Sequence, residues 1–227
     1  MSDGRKATVF VFNVEVMIVS LLSDESLMHD NNLAEGYDIF TGRVDSKNPI
    51  NAKYGEVHTG DAWRPARKHY CGKKGEKMPI ALIVFGDKTA TDLHGDLSVT
   101  PIIFTLTFFN RAARNNPAFW RPLAYVPNLQ HGKGKSDKTP SSTKVQDEHR
   151  CLDAAFKSLR DLHRHGRGLN TVTKGRSVIC CVWIHFFIGD TSGFNTWLGH
   201  YNGCGNLDRP YRDCMCTYKV MDKPHPK

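Results

Sequence analysis

Pro79-Ile-Ala-Leu-Ile-Val-Phe85, halted by Gly86-Asp87, is the run on which the reading of this chain turns. Seven successive apolar or ring residues bounded by turn formers describe a strand buried on both faces, not one that alternates between core and water. After a polar loop carrying Gly95, Val99 to Phe109 is a second, longer β-rich run, with Thr at 100, 105 and 107 and Pro101 near its start. Leu123-Ala-Tyr-Val126, held between Pro122 and Pro127, reads as a third short strand. Short connections between the three predict an antiparallel meander.

Outward from the meander, Gln130 to Gln146 is rich in Gly, Ser, Lys and Pro and reads as a surface loop. Asp147 to His165 then places Leu152, Phe156, Leu159 and Leu162 at helical spacing, the clearest helix in the chain. Gly166 and Gly168 stop it, and Leu169 to Thr173, Lys174-Gly175 and Ser177 to Ile188 read as a hairpin arm leading into a long apolar strand. That strand ends, like the first, at Gly-Asp: Gly189-Asp190. The expected order is strand, strand, strand, helix, strand. In an α/β fold of the ribonuclease-H-like kind, the last of these strands lies parallel beside the first, which would bring Asp87 next to Asp190. The core is expected over residues 77–195, after an irregular segment at 1–76 and before a Cys/His-containing tail at 196–227. Within the first segment, Thr8 to Leu22 has the β-branched density of a strand and, later, the Val16 and Leu21 spacing of a short helix; both readings stay open. Asp24 to Lys77 reads as loops with short elements.

The 227 residues carry 31 Lys plus Arg against 23 Asp plus Glu, a net charge of +8, with 40% hydrophobic and 24% charged residues. That balance excludes an acidic solvating tail, a fibrous protein and a disordered chain. No apolar run suits a membrane span: Ala7 to Leu22 contains Asn13 and Glu15, and Val178 to Ile188 is too short. No small-x-small cleavage site follows Leu22, so a nuclear or intracellular setting is expected and secretion is not. Between Arg111 and Arg176 there are 14 Lys plus Arg against 5 Asp plus Glu, an excess of nine that leaves the rest of the chain near −1. Positive charge so concentrated attracts phosphate backbones. Arg111, Arg114, Lys133, Lys135, Arg160, Arg164 and Arg167 are the expected nucleic-acid contacts, although a solvated basic face gives the same count. Trp120 and Tyr125 could stack on bases but are expected to pack in the core.

Two facing carboxylates raise each other's pKa unless a cation neutralises them or they share a proton. Mg2+ is the natural occupant between Asp87 and Asp190, because it takes oxygen ligands and is held by one or two carboxylates plus substrate phosphate. The plainer reading is that Gly-Asp after a strand is turn chemistry. Asp92, His94 and Asp96, behind Asp87, offer a separate metal site, which would suit an unrelated metal-dependent hydrolase. The seven cysteines, an odd number, are expected as reduced thiols, with Cys180 and Cys181 as small core fillers. His200, Cys204, Cys214 and Cys216 form a possible Zn2+ set, with free thiols the alternative.

Several of these runs together resemble a family. Pro79-Ile-Ala-Leu-Ile-Val-Phe-Gly-Asp-Lys-Thr89, His94-Gly95, Thr100-Pro-Ile-Ile-Phe-Thr-Leu106, Asn110-Arg-Ala-Ala-Arg114 and Leu123-Ala-Tyr-Val-Pro127 resemble the core of Plavaka-type transposases, of the Kyakuja-Dileera-Zisupton superfamily. Phe187-Ile-Gly-Asp190, Cys214-Met-Cys216 and the upstream His58-Thr-Gly-Asp-Ala-Trp63 resemble further motifs of that family. The resemblance implies a transposon-derived DNA-binding protein whose core cleaves and joins DNA, with Asp87 and Asp190 as the first two acids of an Asp-Asp-Glu magnesium triad. Gly86 stands where the family has Ser, Thr100 where it has Trp, and Cys-x-Cys where it has Cys-x-x-Cys. Beyond Asp190 the only acids are Asp208, Asp213 and Asp222, without helical patterning, so the chain is expected to be truncated relative to an active transposase, a remnant core that is inactive without the third acid. A noncatalytic nucleic-acid-binding or interaction module is the alternative.

Overall fold

A computed structural model describes residues 6–45, 55–72, 77–90, 98–127, 129, 141–164 and 168–189. In chain order the main elements are β1 (Phe10–Val11), α1 (Val14–Leu22), β2 (Tyr37–Asp38), β3 (Arg43–Val44), α2 (Trp63–Cys71), β4 (Met78–Gly86), β5 (Thr89–Ala90) and β6 (Ser98–Leu106). They continue with α3 (Arg111–Arg114), β7 (Arg121–Pro127), α4 (Ser141–Ala155), α5 (Lys157–Arg164), β8 (Leu169–Thr173) and β9 (Arg176–Ile188).

One mixed sheet organises them, in the order β1-β7-β6-β4-β9-β8, with β5 pairing on β6. Every pairing is antiparallel except β4 with β9, which is parallel. The meander β4-β6-β7 and the parallel return of the last strand are as expected from sequence. β4 is central, and its continuous apolar run has a partner on each face: Ile80, Leu82 and Val84 are fully buried toward one side, Ala81 fully and Ile83 nearly so toward the other. At about 1.5–3 kcal/mol for each large side chain removed from water, the burial of Ile80, Leu82, Ile83 and Val84 makes this strand a substantial part of the core.

α1, α4 and α5 cover the first face, packing on β7, β8 and β9. The ambiguous run near the start resolves into both candidates, a two-residue strand and then a helix. Asn13 divides them, its side chain accepting hydrogen bonds from the Glu15 and Val16 N–H groups as a helix cap. The expected irregular segment at 1–76 thus contributes a sheet edge and a core helix, with Ile18 and Leu21 fully buried. The expected helix at 147–165 begins earlier, at Ser141, and has a break at Phe156 between α4 and α5. Helical hydrogen bonds nevertheless span the break, from Phe156 N–H to Leu152 O and from Arg160 N–H to Phe156 O, both 2.9 Å.

α2 and the segment around β2 and β3 cover part of the second face. α2 is a short basic helix anchored at its start by Trp63, which is 1% exposed and donates from Nε1 to Gly42 O at 3.2 Å. Trp63 packs against Trp183 of β9, with ring centroids 5.7 Å apart. At the foot of α2, Cys71 is joined to Cys181 of β9 by a disulfide with a Cα–Cα distance of 5.9 Å. This corrects the expectation of reduced thiols for that pair: on the second face Cys181 meets the end of α2. Cys180, pointing the other way, is a fully buried core residue as expected, its thiol pushed up to about 12 by burial. The hairpin β8-β9 turns at Lys174 (φ 47°) and Gly175 (φ 70°), the left-handed pair that a two-residue hairpin turn requires. No helix among the described residues is long and apolar enough to cross a membrane.

Candidate active site at the ends of two parallel strands

Asp87 follows the last residue of β4 and is exposed. β4 and β5 run along β6 in one unbroken register, Gly86 opposite Ile102 and Thr89 opposite Val99. Asp87 and Lys88 interrupt the pairing between them. Continuing the register places Asp87 opposite Pro101, which has no N–H to give to a ladder. The aspartate is therefore anchored on both sides by paired strand while its own backbone sits in a gap of the sheet.

The parallel partner has a feature that periodicity does not reveal. Leu82 lies opposite Ile184, but Ile83 lies opposite Phe186, so His185 is an extra residue on β9. Beyond this bulge the pairs run Val84 with Phe187 and Phe85 with Ile188. Asp87 and Asp190 are each two residues further along the sequence from that last pair. Without the extra residue, the same extrapolation would set Asp87 against Gly189. His185 is fixed by its ring contacts, edge-on to Trp63 at 5.4 Å between centroids and accepting at Nδ1 from Trp183 Nε1 at 3.4 Å. Burial holds its imidazole below the ordinary histidine range. Asp190 itself lies outside the described residues, as do Asp92, His94 and Asp96 and the tail residues His200, Cys204, Cys214 and Cys216.

The exposed carboxylate of Asp87 is an oxygen donor of the kind Mg2+ accepts. Among the described residues there is no group of three or more Asp, Glu, His or Cys side chains placed to hold a metal. Among the described residues at this sheet end, Asp87 is thus the oxygen donor that suits a hard cation.

The arginines expected to contact nucleic acid are dispersed. β6 runs antiparallel to β4, so α3, which follows it, lies toward the opposite end of the sheet from Asp87. Arg111 is exposed there and its N–H donates to Glu56 Oε1 at 3.0 Å. Arg114 is 15% exposed; its guanidinium pairs with Glu56 Oε2 at 2.7 Å and donates to the carbonyls of Thr107 and Phe109. The donors of Arg114 are thus committed to the fold. Arg160, on α5, is paired with Asp153. Arg164 closes α5 with its side chain outside the described residues, and Lys133, Lys135 and Arg167 also lie outside them.

Two aromatic residues fall differently from expectation. Trp120 is partly buried and donates from Nε1 to Arg114 O at 2.7 Å, whereas Tyr125 is 37% exposed rather than packed in the core. Sequence gave no sign of this, because the cover that Tyr125 lacks depends on which face the N-terminal layer occupies.

No curated protein matches the chain. A family model described as Plavaka transposase matches residues 4–193, a span that includes every element of the sheet, both Gly-Asp ends and the α1 and α2 layers. By that match the chain belongs to the Plavaka transposase family.

Proposed function

We propose that this chain is a transposon-derived DNA-processing core of ribonuclease-H-like design, in which Asp87 and Asp190 together hold a divalent cation at a DNA phosphodiester. The observation that carries the reading is the bulged parallel register of β4 and β9, which runs to Phe85 opposite Ile188 and, continued, aligns the two Gly-Asp ends. The strand order, a meander followed by a helix and a parallel return beside the first strand, fits the same design.

When bound, Mg2+ would supply the positive charge that offsets charge building up on phosphate oxygens as a bond to phosphorus forms and another breaks. The chain's own contribution is positional. The gap opposite Pro101 leaves Asp87 exposed at the sheet end, and the paired strands on either side restrict its movement. The bulge at His185 sets which residue of β9 comes alongside. Lys88, exposed beside Asp87, would attract the phosphate backbone without reading its sequence. The nucleus is the setting such an activity calls for.

A nicking assay on supercoiled DNA tests the proposal. With two acids of the triad, wild type should give at most weak nicking, present in Mg2+ or Mn2+ and absent in chelator, and Asp87→Ala and Asp190→Ala should each abolish it. Equal cleavage by all three proteins would remove both residues from the mechanism. Salt-dependent DNA binding with no cleavage in any protein, indifferent to Asp87 and to metal, would favour the noncatalytic binding module.

A further inference from the structure

Among the described residues, the second face of the sheet is covered at one end only. α2, Trp63 and the disulfide lie over Ala81, Cys181 and Trp183, whereas no other described element packs on the half toward Asp87. Its rows can be read from the register. Phe10 lies opposite Tyr125, Tyr125 opposite Pro101, and Pro101 opposite the position of Asp87. The next row on that face runs Ile103, Phe85, Ile188. Phe10 is 65% exposed, Tyr125 37%, Phe186 43% and Ile188 46%. Phe12 meets Tyr125 edge-on, with centroids 5.7 Å apart and planes 72° apart, which props the tyrosine ring.

We propose that this open face is a stacking platform for unpaired DNA bases, with Tyr125 and Phe10 as the stacking rings, delivering an unpaired strand to the carboxylate of Asp87. The inference rests on the DNA reading above and goes further, since it specifies unpaired rather than duplex DNA at that site. Three features favour nucleobases over another occupant. The rings form a line that ends on the proposed reaction centre. With neighbouring strands about 4.8 Å apart, Tyr125 and Phe10 stand about 10 and 14 Å from the Asp87 position along one row. The flanks are cationic, with Lys88 exposed next to Asp87 and Lys6 exposed ahead of β1, on a chain of net charge +8. Base–aromatic stacking between such cations is how strands are held without sequence preference.

The test measures binding in chelator, so that no cleavage intervenes, to a blunt duplex and to the same duplex bearing a short unpaired tail. Wild type should prefer the tailed probe. Phe10→Ala with Tyr125→Ala should weaken tailed-probe binding at least about tenfold and leave blunt-duplex binding within about twofold. Tyr125→Trp should restore the preference, a rescue that a merely structural role would not give. Equal losses on both probes, or no loss on either, would overturn the proposal. So would a change in oligomeric state on sedimentation with tail preference intact, which would mark the face as a contact between copies of the chain. Because binding is read without metal, failure of the Asp87–Asp190 reading would leave the tail preference standing. Failure of the stacking platform would leave nicking of duplex DNA standing.

Discussion

Reducing the Cys71–Cys181 disulfide, or replacing Cys71 with Ser, should cost this protein a large share of its folding stability. The bridge links residues 110 apart in sequence and ties the end of α2 to β9 across the second sheet face. In the chain-entropy treatment, a cross-link closing a loop of that length removes about 4.8 kcal/mol of unfolded-state freedom at 25 °C, close to the top of the measured range of about 5. With a urea slope of about 2.5 kcal/mol per molar, the unfolding midpoint should fall by about 2 M on reduction, without a comparable change on adding reductant to Cys71→Ser. Since either substitution removes the same cross-link, Cys71→Ser, Cys181→Ser and the double variant should lose nearly equal amounts, a non-additivity that distinguishes the bridge from two independent packing contacts. Non-reducing peptide mapping establishes whether the link is present. Coincident midpoints for oxidised and reduced protein, or additive losses in the double variant, would refute the reasoning.

Two further outcomes follow from buried polar groups. His58 is 4% exposed, lies against the Tyr37 ring at 4.7 Å between centroids, and neither ring nitrogen has a hydrogen-bond partner, so burial holds its imidazole below the ordinary value of 6.5. The folded state therefore keeps the neutral form, and its contribution is complete above 6.5 and lost progressively as pH falls below that value; urea midpoints should decline over that interval, and His58→Leu should flatten the decline. Glu56→Ala should destabilise by about 3 kcal/mol, because it strands the largely buried guanidinium of Arg114 and frees the Arg111 N–H, and Glu56→Gln should cost less. Calorimetric unfolding of the two variants checks the order.

The apolar run of β4, the meander and the parallel return were legible because each depends on local pattern: continuous burial, proline punctuation and the Lys174-Gly175 turn. What escaped was set by contacts distant in sequence. α2 is polar along most of its length and is helical because Trp63 finds Gly42 and Trp183, neither of which its own periodicity announces. β5 is two residues long and exists because β6 continues past the Asp87 gap. Cys181 sits in an unremarkable apolar strand, and its pairing depends on where α2 ends. At the candidate site the two Gly-Asp ends could be seen, but the bulge at His185, which shifts the register of β9 against β4, could not. A one-residue shift leaves the apolar pattern of β9 almost unchanged while moving every later residue to the other face. Tyr125 shows the converse case, an aromatic in a core-like strand whose exposure reflects the incomplete cover of one face.

The central claim is that Asp87 and Asp190 act on one cation, and calorimetric titration with Mn2+ tests it most directly. Wild type should bind, Asp87→Asn and Asp190→Asn should each weaken binding by more than the roughly tenfold that follows loss of an outer-shell partner, and the double variant should be no weaker than the worse single one. Unchanged affinity in either single variant, or losses that add as independent sites do, would contradict the account.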